Sequence, residues 1–244
     1  HLTPALMKAG YRVVQVWSRT EVSARALATP LGISYTDNLD AVVSDADVYI
    51  ACVSDGALPD VTAKIVLRAN KAALFLHTAG SVEMNIWQCS GAVHYGILYP
   101  LQTFSKERIV NIHEVPFFVE AANEQSMERL EVLARSLSNK VFRADSKCRE
   151  RLHVAAVFAS NFTNAMYDVA QVLLAKYDIP FEVLLPLIDE TAAKVHMLSP
   201  HDAQTGPAVR GDKSVMEKHL STLSHDEILS GIYVQISDYI NKNR

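Results

Sequence analysis

The stretch that decides the fold is Tyr11-Arg12-Val13-Val14-Gln15-Val16-Trp17-Ser18-Arg19-Thr20. Its strand-forming residues stop abruptly at three small or basic polar side chains. The residues before it, Leu2 to Gly10, are predicted to form a helix closed by a C-terminal glycine. A helix, a buried strand and a polar tip that opens another helix are typical of the second half of a dinucleotide-binding βαβ unit.

The polar tip of this strand indicates which dinucleotide would bind. In such units an acidic residue at the tip binds a free ribose 2′-hydroxyl, whereas an arginine accommodates a 2′-phosphate. This tip offers Ser18, Arg19 and Thr20, and no acidic residue occurs before Glu21. The residues therefore favour NADP over NAD, although an ordinary α/β domain with a basic loop after a strand would look the same.

The glycine-rich loop that binds the pyrophosphate should precede the first helix. The sequence starts at His1, within or just before that helix. We therefore expect the first strand and the G-x-G-x-x-G/A turn to lie upstream in the natural protein.

The composition is that of a soluble globular protein, with 49% hydrophobic and 20% charged residues. A net charge of −4 argues against nucleic acid or an anionic membrane surface as a partner. No apolar run is long enough for a membrane span, and no secretory signal is recognisable. Cys52, Cys89 and Cys148 are widely spaced and lie near no histidine at ligand spacing, which predicts free thiols, a cytoplasmic protein and no metal site.

Strands alternate with helices in the first part of the chain, which predicts an α/β fold with a Rossmann-type, doubly wound, mostly parallel sheet. Ligands of such sheets bind beyond the carboxyl ends of the strands. These ends are Ser18-Arg19-Thr20, Val53-Ser54-Asp55 and Thr78-Ala79-Gly80, where small residues would let a flat cofactor approach the backbone. Ordinary βα turns use the same residue types, but their coincidence on three strands favours a cofactor site.

Beyond about Asp145 the pattern changes to helices alone. A long apolar helix is predicted over Cys148–Lys176, and a last helix carries four isoleucines at i, i+4 spacing. We therefore predict a Rossmann-type NADP-binding domain over residues 1–145 and an all-helical domain over 146–244. The aliphatic richness from Val154 to Ile188 predicts a homodimer formed through the helical domain.

Three segments together resemble one family of proteins: Tyr99-Pro100-Leu101-Gln102-Thr103-Phe104, His153-Val154-Ala155-Ala156-Val157-Phe158-Ala159-Ser160-Asn161-Phe162 and Thr205-Gly206-Pro207-Ala208-Val209-Arg210-Gly211-Asp212. The family consists of NADP oxidoreductases that pair a Rossmann domain with a helical C-terminal domain of unassigned function. It is similar to pyrroline-5-carboxylate reductase, ketopantoate reductase and the hydroxyisobutyrate dehydrogenases. The resemblance implies an NADP-dependent reductase or dehydrogenase of a small-molecule substrate, without naming that substrate. Members often have histidine where this sequence has Tyr99.

Hydride transfer needs a polar group at the reacting carbonyl or imine and a source of protons. His153, Ser160, Asn161 and Asn164 lie at i, i+7, i+8 and i+11, which is one face of a helix. The resemblance implies that this helix faces the nicotinamide with a lysine and an asparagine, but no lysine lies on this face here. We predict that Asn161 orients the substrate and that His153 donates the proton. Alternatively, the face packs against the first domain and bonds buried backbone groups.

Arg210 is the third candidate catalytic residue. Its guanidinium can hold a carboxylate or phosphate through two N–H groups, or it can pair with Asp212 or cap a helix. The predicted function is hydride transfer between NADP and a small metabolite. The alternative is a dinucleotide-binding sensor or scaffold without turnover, because the sequence has no catalytic lysine and no unambiguous acid–base pair.

Overall fold

A computed structural model describes residues 1–243. The chain divides into two compact units, residues 1–161 and the residues from 162 onward. The strands of the described residues lie in the first unit, and the second unit is helical. The compact units divide after Asn161. That the nucleotide-binding domain itself ends near Asp145 stays a prediction.

The first unit contains a two-stranded and a five-stranded sheet. In the smaller sheet, β1 (Gln15–Trp17) pairs in parallel with β2 (Ser34–Thr36). The larger sheet has the strand order β3-β4-β5-β6-β7. Its strands are β3 (Val48–Ala51), β4 (Leu74–His77), β5 (His94–Pro100), β6 (Phe117–Ala121) and β7 (Val141–Arg143). Its strand pairs are parallel except β5 with β6, which is antiparallel. This confirms the mostly parallel α/β fold.

Helices connect the strands of the first unit. They are α1 (Leu2–Lys8), α2 (Glu21–Ala28), α3 (Leu58–Arg68), α4 (Asn85–Cys89), α5 (Glu124–Leu137) and α6 (Ser146–Ala156). Short 3₁₀ turns occupy Thr29–Leu31, Leu39–Ala41, Asp55–Ala57 and Ile112–Glu114. Side-chain oxygens cap three of the helices: Thr20 begins α2, Asn123 begins α5 and Asp145 begins α6. Each cap satisfies a backbone N–H that has no partner inside the helix.

Strand β4 is covered on both faces, as expected of a parallel strand inside a doubly wound sheet. Leu74 and Leu76 pack in one hydrophobic cluster with Leu130 of α5. Phe75 points to the other cluster, where it packs near Trp87 of α4. This double burial fixes the strand, and with it the residues that follow at its carboxyl end.

The predicted long helix is interrupted. Helix α6 is followed by a π-helical turn over Val157–Phe162, and then by α7 (Thr163–Ala175). A π turn contains one more residue than an α turn, so the side chains after it are rotated by about 100° from the positions of an unbroken α-helix. The prediction that Asn164 lies on the same helix face as His153 assumed α-helical spacing throughout, and it is therefore wrong for residues after the π-helical turn.

The second unit continues as helices. A 3₁₀ turn over Phe181–Leu184 is followed by α8 (Leu185–Lys194), α9 (Pro207–Arg210), α10 (Lys213–Leu223) and α11 (Glu227–Lys242). Among residues 162–243, Ala208 is the one hydrophobic residue that is buried. No helix within residues 1–243 is both long and apolar enough to cross a membrane.

Candidate active site

The ends of β3 and β4 meet at the same edge of the five-stranded sheet. Ala51 and His77 are partners in the parallel register, and the Thr78 N–H donates to the Ala51 carbonyl over 3.3 Å. Beyond these ends, the Ser81 hydroxyl donates to the Asp55 carboxylate. The structure therefore brings together two of the three predicted cofactor segments, Val53-Ser54-Asp55 and Thr78-Ala79-Gly80.

The third segment, Ser18-Arg19-Thr20, follows β1 in the separate two-stranded sheet. Arg19 is exposed and makes neither an ion pair nor a hydrogen bond with any residue from 1 to 243. Thr20 caps α2 by accepting a hydrogen bond from the Ser23 N–H over 3.4 Å. A free guanidinium beside a helix N-terminus of this kind suits an anionic group.

His153 is hydrogen-bonded to Tyr99. The Tyr99 hydroxyl lies 3.1 Å from His153 Nδ1, and the two rings meet edge to face with centroids 6.2 Å apart. Tyr99 comes from β5, which pairs with β4, and it is 8% exposed. In the sequence, His153 was a candidate proton donor and Tyr99 was a departure from the family pattern, with no connection between them. The fold brings the two side chains into hydrogen-bond contact.

Gly80 lies directly against this pair. A Cβ atom at Gly80 would stand 2.8 Å from Cζ of Tyr99 and 2.9 Å from Nδ1 of His153. Real Cβ atoms do not approach other heavy atoms so closely, so any side chain at position 80 would displace one of the two rings. The end of β4 and the Tyr99–His153 pair are therefore packed as one unit.

Burial raises the pKa of Tyr99, and the nearby positive charge of Arg149 opposes part of that increase. Tyr99 is consequently protonated at neutral pH and can donate its proton to Nδ1 of His153. The imidazole would then carry its own proton on Nε2 when it is neutral. Such a pair can hold a proton and pass it on.

A buried arginine lies behind the pair. Arg149 is 1% exposed and forms an ion pair with Glu120 of β6. Its Nε donates to the Gly80 carbonyl over 3.2 Å, and a terminal nitrogen donates to the Val82 carbonyl over 2.8 Å and to the Ser146 hydroxyl over 3.3 Å. The sequence analysis missed Arg149 and Glu120. A charged residue inside the apolar strand Phe117–Ala121 was the signal that could have revealed them.

His77 ends β4 and is completely buried. Its Nδ1 accepts the Ala79 N–H over 3.2 Å, so the proton of the neutral ring lies on Nε2. Burial, aided by the positive charge of Arg149, lowers the pKa of His77 to about 4. His77 is therefore neutral at physiological pH and holds the turn that leads to Gly80.

The remaining predicted catalytic residues are Asn161 and Arg210. Asn161 is exposed in the π-helical turn, and Arg210 is exposed at the end of α9. The alternative in which Arg210 pairs with Asp212 is not observed, because Asp212 instead caps α10 by accepting from the Val215 N–H. The part of the chain that the structure describes contains no cluster of His, Cys, Asp and Glu that could hold a metal ion.

A mostly parallel sheet with small residues at its strand ends, a free arginine after β1 and a tyrosine–histidine pair are the features expected of a dinucleotide-dependent oxidoreductase. Residues 115–240 match the family described as Domain of unknown function (DUF2520), and residues 1–78 match the family described as NADP oxidoreductase coenzyme F420-dependent. The chain belongs to the DUF2520 family, and in this chain the DUF2520 match follows the match to the NADP oxidoreductase model.

Solved structures share the fold of this chain. A Bacteroides fragilis protein assigned as an NADP oxidoreductase is 48% identical, with a TM-score of 0.94 over 99% of this chain and 93% of that one. The imine reductase of Myxococcus stipitatus in complex with NADP+ is 15% identical, with a TM-score of 0.68 over 99% and 89%. The 1-pyrroline-5-carboxylate reductase of Streptococcus pyogenes is 14% identical, with a TM-score of 0.60 over 99% and 95%.

No curated protein sequence matches the chain. The family matches and the 48% identical structure confirm three expectations from the sequence: the fold class, membership of an oxidoreductase family, and NADP as the cofactor of that family. The distant structures, which are below a quarter identical, support the fold alone.

Proposed function

We propose that this protein transfers a hydride between NADP and a small metabolite that carries a carbonyl or imine group. The observation that carries the proposal is the Tyr99–His153 hydrogen bond packed against Gly80, at the end of β4. Ligands of doubly wound sheets bind at such strand ends. A proton source fixed there is the group that reduction of a carbonyl or imine requires.

The residues present fit NADP. Arg19 has a free guanidinium for the 2′-phosphate. No acidic residue precedes Glu21 in the sequence, and the Glu21 carboxylate lies 3.9 Å from a guanidinium nitrogen of Arg25. Ser18 and Thr20 supply hydroxyls at the same place. Two further segments, Val53-Ser54-Asp55 and Thr78-Ala79-Gly80, would hold the rest of the cofactor through small side chains and backbone groups.

NADP, when bound, supplies or accepts the hydride. Tyr99 and His153 hold and deliver the proton that balances the charge on the substrate. We assign to the exposed Asn161 the orientation of the substrate, and to the exposed, unpaired Arg210 the binding of a substrate carboxylate or phosphate. The 48% identical oxidoreductase from Bacteroides fragilis supports the reaction class.

We also propose that the protein acts in the cytoplasm as a homodimer. Its three cysteines are unpaired and exposed, which suits a reducing compartment. The second unit leaves large aliphatic side chains in contact with water, among them Leu187 at 63% exposure and Ile228 at 75%. A second copy of the helical unit is the partner that would cover them.

Binding of NADPH and NADH to an Arg19→Ala variant tests the cofactor assignment. Removing a charged hydrogen bond to the 2′-phosphate should cost about 1.5–3 kcal/mol, which raises the Kd for NADPH roughly 10- to 100-fold. The Kd for NADH should change little. Both are measured on the full-length protein by isothermal titration calorimetry.

Arg25→Ala is the matched control, because Arg25 is an equally exposed arginine on α2 whose weak pairing with Glu21 contributes little. It should leave both Kd values near those of the wild type. Equal losses for NADPH and NADH in Arg19→Ala, or no binding of either nucleotide to the wild type, would contradict the assignment.

A further inference from the structure

Arg149 ties together three parts of the first unit. It stands on α6, one helical turn before His153. From there its guanidinium reaches the Glu120 carboxylate on β6 and two carbonyls, of Gly80 and Val82, in the segment after β4. The two carbonyls flank Ser81, whose hydroxyl donates to Asp55 at the end of β3. The Arg149 side chain thus links α6, which carries His153, directly to the segment after β4. Through Ser81 of that segment it is also linked to the end of β3.

We infer that Arg149 is the positioning residue of the active site: its guanidinium holds the Gly80–Val82 segment where Gly80 contacts both Tyr99 and His153. This inference rests on the proposed function, since it concerns the same site. It assigns a role to a residue that bonds neither side chain of the Tyr99–His153 pair and acts through the carbonyls of Gly80 and Val82.

The closeness of Gly80 to its neighbours explains why the segment has to be held. A Cβ atom at position 80 would lie under 3 Å from both rings, so the backbone itself is in contact with them. A small shift of this segment would either push the rings apart or leave a gap beside them. The two carbonyls bonded by Arg149 belong to this segment, so the arginine opposes both movements.

The chemistry of the side chain fits this role better than it fits a contribution to stability. A buried ion pair loses hydration on both partners, so replacing it with apolar groups is often neutral or stabilising. The planar guanidinium directs several N–H groups at fixed angles, and here they reach a carboxylate, a hydroxyl and two carbonyls. A lysine would keep the charge but could not bind these groups in the same fixed geometry.

Four variants separate positioning from folding. The double variant Arg149→Met with Glu120→Gln removes both charges, so no buried charge is left unpaired. Arg149→Lys keeps the charge without the planar geometry, and Glu120→Gln keeps the guanidinium and its bonds to the two carbonyls but leaves its charge unpaired. Tyr99→Phe identifies the signal of Tyr99 in NMR spectra of protein labelled with ¹³C at tyrosine Cζ.

The first measurement is the ionisation of Tyr99, which requires no substrate. The groups that act on its hydroxyl are Arg149 from α6, whose charge lowers the pKa of Tyr99, and its hydrogen-bond partner His153. The double variant should therefore titrate at higher pH than the wild type, Arg149→Lys should stay near the wild type, and Glu120→Gln should titrate no higher than the wild type. A folded double variant with the titration of the wild type would overturn the inference.

The second measurement is the Kd for NADPH and for NADH. Loss of the fixed Gly80–Val82 segment should weaken both nucleotides about equally, by roughly tenfold, in Arg149→Lys and in the double variant. Glu120→Gln should have a smaller effect. If Arg149→Lys binds both nucleotides as the wild type does, the positioning role is refuted, even where the double variant fails to fold. If the wild type binds neither nucleotide, the proposed function fails instead, and the Tyr99 titration still decides whether Arg149 acts on the pair.

Discussion

His77 is a residue whose charge state is decided by its place in the fold. It is wholly buried at the end of β4, and its Nδ1 accepts the Ala79 N–H. Protonation at Nδ1 would break that hydrogen bond and place a positive charge in the core, near Arg149. His77 consequently stays neutral at pH values at which an exposed histidine becomes protonated. This difference makes the stability of the protein depend on pH.

Acid should destabilise the protein through His77. Between about pH 6.5 and pH 4 the unfolded chain binds a proton at His77 that the folded chain does not bind, because the pKa of His77 in the fold is about 4. The free energy of unfolding should therefore decrease as the pH falls through this window, by about 3 kcal/mol in total from this residue. Urea unfolding at a series of pH values measures the decrease.

A His77→Gln variant should lose most of this dependence, since its amide is neutral throughout and can still accept the Ala79 N–H. His196→Gln, which changes an exposed histidine, should keep the dependence of the wild type. An equal slope in the His77→Gln variant and the wild type would show that another group is responsible.

The sequence draws attention to single residues when their proposed role depends on local position. Arg19 was predicted because the tip of a strand faces the ribose in this kind of unit, and His153 because it lies on a polar helix face. Arg149 and Glu120 were missed, because their importance arises from contact between a helix and a strand that are distant in the sequence. Neither residue stands in a recognisable motif.

At the scale of elements, α6 determines where both Arg149 and His153 stand. The helix begins at Asp145, whose carboxylate accepts the Cys148 N–H over 2.7 Å. This cap fixes the first turn, and the two functional side chains follow in the next two turns. The precision of the site therefore depends partly on the start of this helix.

Removal of the cap should weaken this helix. An Asp145→Ala variant should lose about 1 kcal/mol of stability, because a backbone N–H of the first turn loses its partner. Asp145→Asn is the control, as its amide oxygen can still accept the hydrogen bond. Urea unfolding compares the two, and an equally stable alanine variant would argue that the first turn is held by other contacts.

Most strands and helices could be predicted because buried strands and amphipathic helices leave clear periodic patterns. The strands at 48–51, 74–77 and 117–121 lie inside the largely apolar segments 47–53, 71–77 and 115–121, which predict buried strands. The antiparallel pairing of β5 with β6 and the separation of the two-stranded sheet could not be predicted, since strand direction and pairing depend on tertiary packing. The π-helical turn was also missed, because a helical pattern tolerates one added residue.

At the scale of the whole molecule, the two units differ in how they bury apolar side chains. Buried hydrophobic residues fill both faces of β4 in the first unit, whereas Ala208 is the one buried hydrophobic residue within residues 162–243. A unit that buries so little by itself needs a covering partner to be stable in water. This is the physical basis of the proposed homodimer.

A charge on the exposed aliphatic surface of the second unit should disrupt that dimer. In size-exclusion chromatography with light scattering, the wild type should have twice the mass of one chain, and a Leu187→Glu variant should shift towards the monomer. Leu67→Glu is the matched control, since Leu67 is 76% exposed on α3 in the first unit. A monomeric wild type at micromolar concentration would contradict the proposal.

The contact of Gly80 with two rings also limits how this gene can vary. Every substitution of glycine adds at least one carbon atom, and at position 80 that atom would lie 2.8 Å from Tyr99 and 2.9 Å from His153. No missense change of this codon avoids the collision, because alanine, the smallest replacement, already contains the offending atom. In a library of all single substitutions, position 80 should therefore be depleted of every residue except glycine, because each replacement has to displace one of the two rings.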